Sequence, residues 1–335
     1  MNQKPPPPQQ MFQMITGYWV SQLVGALAEL GVVDDLAARP RTSAELAREK
    51  ACEPHAVERV LRAATAIGVT TRDELGRFSP TQLGDTLRSD VPGSMRDMAI
   101  AQTSPGHWMP WGRFREAVRT GTRQTPAALG MEIFEHYAKA PREAAAFSGA
   151  MKNLAALVAS EVARVIETSG KKRVVDVGGA NGTLLAAVLA ANPQLSGVLL
   201  DLPHVADGAR AALDGAGVGA RCEVVGGDFF KNVPSADLYL LKQVLHDWDD
   251  DRCRTILANC AKGLAAGGSV AVVEMVIPDD LRPSPAQLMD LNMLVMLPGR
   301  ERTQAEYAEL FVSAGLQLQR CIETHSPFQI LVATR

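Results

Sequence analysis

The chain has 335 residues, 47% of them hydrophobic and 21% charged, with 34 Lys/Arg against 37 Asp/Glu and a formal net charge of −3. That length corresponds to about two domains, and the charge balance argues against a nucleic-acid binder held by a strong positive field. No apolar run approaches the roughly 18 residues of a membrane span, and five cysteines without a C-x-x-C pair argue against a disulfide scaffold or zinc ribbon and point to a reducing, cytoplasmic setting.

Residues 1–10 read as a disordered, extended lead-in built on Pro5 to Pro8, not as a secretory signal. Phe12, Ile15, Trp19, Leu23, Leu27 and Leu30 then recur at helical spacing, and Gly31 ends that helix. Thr42 and Glu45 form a capping box for the next helix. A third carries Val57, Val60, Leu61, Ala64 and Ile67 on one face and stops at Gly68. Two short extended pieces, 69–72 and 76–79, complete a winged-helix-like domain spanning 11–100. Residues 101–165 read as a helical linker region interrupted by Pro105, Pro110, Pro126 and Pro141.

From Lys171 the texture changes. Strand-like runs at 173–177, 198–200, 222–225, 238–241 and 270–275 alternate with helical ones, the mark of a parallel sheet covered by helices. Runs 316–323 and 328–334 follow almost back to back, so they must pair antiparallel. The fold class is α/β: a Rossmann-like, mostly parallel sheet over 166–335 with its last strand antiparallel, behind an all-helical N-terminal half.

Asp176-Val-Gly-Gly-Ala-Asn-Gly182 follows the first strand and opens an apolar helix. Glycines there let a ligand approach the backbone, and the helix start favours electronegative groups. The spacing of Gly178 and Gly182 misses the G-x-G-x-x-G of dinucleotide sites. An acidic residue before the glycines repels pyrophosphate but suits a cationic ligand such as the amino group of S-adenosylmethionine. The second strand ends at Asp201-Leu202, where a carboxylate can accept ribose hydroxyls. After the third strand, Asp228 can take an adenine amino group while the Phe229 ring packs the base face. Each alone could be an ordinary strand-end turn; three at successive strand ends favour a nucleotide site.

Val174–Gly182, Leu200-Asp-Leu-Pro-His-Val205, Gly227-Asp-Phe-Phe230, Leu241-Lys-Gln-Val-Leu-His-Asp-Trp248 and Gly299-Arg-Glu-Arg-Thr303 occur in this order. Together they resemble the class I S-adenosylmethionine-dependent O-methyltransferases of the caffeic-acid and hydroxyindole type, over nearly the whole chain. The resemblance implies S-adenosylmethionine as cofactor with S-adenosylhomocysteine as product, a homodimer joined through the N-terminal domain, and a linker that contributes to the substrate pocket. It also implies that Lys242 contacts the cofactor. Ala180 departs from the family's usual glycine.

His246 lies just past the fourth strand, beside the proposed cofactor. Imidazole titrates near neutrality and can take a proton from a phenol. A base of this kind is improved by a carboxylate that fixes its tautomer. Glu274, inside an apolar strand, needs a partner, and the resemblance places Glu274 and Glu301 beside the base; an acid near a helix start is the plainer reading of Glu301. Asp247, Asp249, Asp250 and Asp251 could hold magnesium but suit capping of the following helix better, so no metal is expected. Phe147, Met151, Met293, Met296 and Trp108 are candidates for the lining of an aromatic acceptor's pocket, although a methionine stripe is more often plain core. The resemblance implies methyl transfer to a phenolic hydroxyl; the alternatives are a same-fold S-adenosylmethionine-dependent enzyme doing hydroxylation, decarboxylation or N-methylation and, without enzymatic activity, a winged-helix DNA-binding regulator. Residues 39–80 carry eight Lys/Arg and six Asp/Glu without a basic stripe, which argues against nucleic acid. No membrane association is expected, and no G-x-S-x-G elbow of a serine hydrolase occurs.

Overall fold

The computed structural model describes residues 5–335, apart from the side chains of His204 and Asp207. The chain divides into two compact units, one of residues up to 109 with 134–153, the other of 110–133 with 154–335.

In the first unit, α1 (Pro7–Ile15) begins inside the stretch expected to be disordered. A proline in a helix's first turn gives up only an N–H that has no intrahelical partner there, so Pro7 and Pro8 can open the helix. Residues 1–4 of that stretch lie outside the described ones. The single helix expected from Phe12 to Leu30 is two, because α2 (Gly17–Glu29) starts afresh after Thr16. The Thr16 hydroxyl donates to the Phe12 carbonyl at 2.8 Å, a side-chain bond of the kind that bends helices. Then come α3 (Val32–Ala38), α4 (Ser43–Lys50) with its Thr42/Glu45 capping box, and α5 (Pro54–Ala66). Thr70–Arg72 pairs antiparallel with Phe78–Pro80, and Arg41 bridges to Phe78. Leu27, Leu36, Leu46, Leu61 and Phe78 fill the core of this winged helix, each contributing about 1.5–3 kcal/mol of burial.

The region 101–165 is shared between the two units rather than forming a body of its own. Three of its prolines stand in the first turns of helices: Pro105–Trp111, Thr125–Leu129 and α6 (Pro141–Val165). Pro110 sits one residue before the end of the first of these, where the ladder is already closing.

The second unit is built on a seven-stranded sheet. Its strands are β1 (Arg173–Val177), β2 (Ser196–Asp201), β3 (Cys222–Gly226), β4 (Ala236–Lys242), β5 (Leu264–Glu274), β6 (Gln317–Glu323) and β7 (Gln329–Thr334). They lie in the order β6-β7-β5-β4-β1-β2-β3. Neighbours from β5 to β3 are parallel, and β7 runs antiparallel to both β5 and β6. Residues alternate between two apolar layers with the period of a strand. Val174, Leu238, Leu240, Ala271 and Val273 face one layer; Val175, Val177, Tyr239, Leu241, Val270 and Val272 face the other. The covering helices include α7 (Thr183–Ala191), α8 (Pro203–Gly215), α9 (Asp250–Gly263) and α11 (Gln304–Ser313), while α10 (Pro285–Met296) leads toward Gly299–Thr303. The strand order reverses between β1 and β4, and ligands of open α/β sheets bind outside the carboxyl ends at such a point.

Candidate active site

At the end of β1, Gly178 and Gly182 adopt φ of 69° and 77°, which a glycine tolerates without strain. A side chain at Gly178 would run into Val244, just past β4, so the two strand ends meet at the reversal point. Ala180 sits at φ 47° in the same turn, and its N–H donates to Asp201 Oδ2 at 2.8 Å. Asp201 Oδ1 accepts from Leu202 N at 2.7 Å, leaving the Leu202 side chain exposed. Phe229 approaches Gly178 from the β3 side, and Asp228 turns its Oδ1 onto Phe230 N at 2.9 Å. Asp176 is buried beneath this turn, and its Oδ2 has no hydrogen-bond partner. Burial, with Asp201 nearby, pushes its carboxyl up to about 7. Lys242 is partly buried at the end of β4, its Nζ 4.9 Å from the Phe328 ring centre. Burial lowers its ammonium to about 8 against the opposing pull of Glu274, Asp176 and Asp247.

The second cluster begins one residue later. Gln243 takes φ 51°, and the chain turns so that the N–H groups of Val244, Leu245 and His246 converge on Glu274 Oε1 at 3.1, 3.0 and 3.3 Å. A carboxylate at the end of an apolar strand is thereby hydrogen-bonded by the loop it supports. Glu274 is fully buried, and burial raises its carboxyl. His246 is 5% exposed. Its Nδ1 lies 2.7 Å from Glu301 Oε1, which fixes the proton on Nδ1. Burial alone would lower the imidazole's pKa, but Glu274, Asp247 and Glu301 outweigh it and raise it to about 10.

Asp247 corrects one sequence expectation. Of the four aspartates read as helix-capping, Asp249 is the N-cap, accepting from Arg252 N at 2.9 Å. Asp250 instead binds Arg300 and Arg302, and Asp251 binds Arg254. Asp247 turns inward through a short 3-10 turn, Leu245–Asp247, and sets its Oδ1 3.3 Å from His246 Nε2. Its carboxyl is raised to about 6, burial being the main cause. No signal in the run itself distinguishes the inward aspartate from the capping one. Gly299 is a second residue whose position sequence alone does not explain: a side chain there would overlap the His246 carbonyl and the peptide after it.

The residues expected to line an acceptor pocket are divided between the two units. Trp108, Phe147 and Met151 belong to the first, where the Phe147 ring stacks on Tyr137 at 4.9 Å and Met151 packs against Ala101, Ala146 and Ala150. Met293 and Met296 belong to the second and are buried at the end of α10. Nearby, Trp111 Nε1 donates to Asn292 Oδ1 at 3.0 Å.

An O-methyltransferase domain matches residues 111–317, and an O-methyltransferase dimerisation domain matches residues 12–90. The chain belongs to the O-methyltransferase family. It is 40% identical to the phenazine O-methyltransferase PhzM of Lysobacter antibioticus over 96% of this chain and 95% of that one. The crystal structure of LaPhzM superposes with a TM-score of 0.94 at 39% identity, covering 98% and 99% of the two chains. That of NcsB1, from neocarzinostatin biosynthesis, with S-adenosylmethionine and 2-hydroxy-5-methyl naphthoic acid, superposes with a TM-score of 0.80 at 33% identity over 94% and 95%. The enzyme is an S-adenosylmethionine-dependent methyltransferase with the class I fold and an N-terminal dimerisation domain. The residues present fit the cofactor: two glycines leave a cradle without side chains, and the buried Asp176 Oδ2 still lacks a donor.

Proposed function

We propose that this methyltransferase acts on a phenolic hydroxyl of a small, planar aromatic molecule, with His246 as general base and without a metal. The observation that carries this reading is the buried 2.7 Å contact between His246 Nδ1 and Glu301 at the reversal point of the sheet. With Nδ1 committed to Glu301, only Nε2 of the neutral imidazole can receive a proton, and because Glu274, Asp247 and Glu301 outweigh burial and hold the imidazolium up to about 10, transfer should speed up as pH rises toward that value. The cofactor supplies an electrophilic methyl group; Asp176, Gly178, Gly182, Asp201, Leu202, Asp228, Phe229 and Lys242 are the residues we assign to hold it. His246 withdraws the hydroxyl proton, Glu301 stabilises the resulting imidazolium, and Glu274 fixes the loop that presents it. Asp247, beside Nε2, is placed to orient the incoming hydroxyl.

His246, Glu274 and Glu301 are, among the described residues, a group whose ligand atoms lie within 4.8 Å of one another. Nδ1 is engaged by Glu301 and Glu274 Oε1 by three N–H groups, while Glu274 Oε2 and Glu301 Oε2 have no hydrogen-bond partner. We assign the cluster to proton transfer, and activity in the presence of a chelator tests that against a metal. Phe147, Met151, Met293, Met296 and Trp108 remain our assignment for acceptor contacts, thioethers and rings suiting a flat apolar ligand. A homodimer through the dimerisation domain and a cytoplasmic setting complete the reading; all five cysteines are free, and no helix among the described residues is long and apolar enough to cross a membrane.

A second reading has support of its own. A phenazine-1-carboxylate N-methyltransferase of Pseudomonas aeruginosa is 30% identical over 97% of this chain, so a ring nitrogen is the competing acceptor. Methyl-labelled S-adenosylmethionine, offered with phenols and with hydroxyl-free N-heteroaromatics in the presence of a chelator, separates the two. Labelled methyl ethers formed with chelator present are expected. Transfer only to ring nitrogen, or strict dependence on a divalent cation, would overturn the proposal.

A further inference from the structure

Arg302 has no exposed surface at all, yet it carries a full positive charge. Its Nε and Nη2 both donate to Asp250 Oδ1, at 3.1 and 2.7 Å. Nη2 also donates to the Trp248 carbonyl at 2.9 Å, and Nη1 to the carbonyls of Leu245 at 3.1 Å and Arg300 at 3.3 Å. The two loop carbonyls bracket His246 on either side. Arg302 follows Glu301 directly and pairs in parallel with Val276, two residues beyond Glu274. One guanidinium therefore fastens three pieces of chain: the turn that bears the imidazole, the start of α9, and the segment 299–303 that bears its carboxylate partner. A planar fork with five donors can do this; the single ammonium of a lysine cannot reach the same acceptors together. Gly299 adds contact from the loop before the short strand Arg302–Thr303, its bare Cα lying against the 246–248 backbone.

From this geometry we infer that Arg302 is a positioning residue for methyl transfer, holding His246 in register with Glu301, and that Asp250 secures it. The inference rests on His246 being the base. Arg302 touches neither acceptor nor cofactor in this role; it acts by keeping the imidazole within the short distance that proton transfer requires.

The test is a double-mutant cycle between Arg302→Met and His246→Ala in the full-length enzyme, read as kcat, acceptor KM and cofactor affinity by calorimetry. Arg302→Met should lower kcat by about 30-fold or more with cofactor affinity changed less than about threefold. In the His246→Ala background the same change should cost less than about threefold, because the residue it positions is gone. Arg302→Lys should restore only a small part of the loss. If Arg302→Met does not fold, Asp250→Asn serves: the guanidinium keeps its carbonyl contacts but loses its counter-charge, and kcat should fall about three- to tenfold at constant KM. Equal losses from Arg302→Met in both backgrounds, or wild-type kcat in Arg302→Met or Asp250→Asn, would overturn the inference. A His246→Ala enzyme with wild-type kcat would instead remove the base assignment on which it rests.

Discussion

His246 Nδ1 stands 2.7 Å from Glu301 Oε1 across 55 residues of chain. The pair is buried, so the carboxylate's effect on the imidazole is screened little by water. Glu301→Gln keeps the size and an accepting oxygen but removes the charge that stabilises the imidazolium. We expect kcat to fall by about 10- to 100-fold with cofactor affinity unchanged. Steady-state kinetics beside cofactor calorimetry checks this, and an unchanged kcat would place Glu301 outside the mechanism.

The same cluster makes a stability prediction with a definite sign. The folded-state pKa of His246 is raised from 6.5 to about 10 by Glu274, Asp247 and Glu301, against the opposing effect of burial. The folded protein therefore holds this proton more tightly than the unfolded chain. That contribution is fully present below pH 6.5 and is lost as pH rises through about 10. The stability of wild type relative to His246→Ala should accordingly decline between pH 6.5 and 10. Denaturant unfolding at both ends of the window reads it; a difference that grows with pH would contradict the sign.

Ala180 occupies left-handed backbone at φ 47° in the Gly178–Gly182 turn that we assign to the cofactor. An L-residue pays about 1–2 kcal/mol for that conformation, and glycine avoids it while adding some unfolded-state entropy. Ala180→Gly should therefore stabilise the protein by about 0.5–1 kcal/mol, with cofactor affinity at least equal to wild type. Reduced stability in chemical denaturation would count against a strained turn.

Phe12 and Trp19 are each more than half exposed in the single chain, with ring centres 6.3 Å apart, within the matched dimerisation domain. Large apolar surface of this kind marks a partner face. Replacing both with Glu should leave the fold intact and shift the protein from dimer to monomer in light scattering. A dimer that survives the double change would put the interface elsewhere.

The sheet was legible because its strands are short apolar runs separated by helical ones. Val174, Val175 and Val177 can hardly be anything but a buried strand. The start of β5 is the longest stretch the pattern hides, since Ala265, Ala266, Gly267 and Gly268 carry little strand preference, while β2 and β4 each begin two residues before their apolar runs. The break between α1 and α2 escaped because apolar spacing continues straight through Thr16, and the bend comes from a local hydroxyl bond. At the site, His246 and Glu274 stood out as polar groups placed beside apolar strands. Asp247 did not, because neighbouring aspartates look alike until a tight turn aims one of them inward. Arg302 and Gly299 owe their places to close approach between segments far apart in sequence, which no local pattern records.

The central claim is that His246 is the base, and single-turnover kinetics of His246→Ala tests it most directly. With saturating cofactor and a phenolic acceptor, the transfer rate should drop about 100-fold or more while cofactor binding by calorimetry stays within about threefold of wild type. A variant that transfers methyl at close to the wild-type rate would contradict the account.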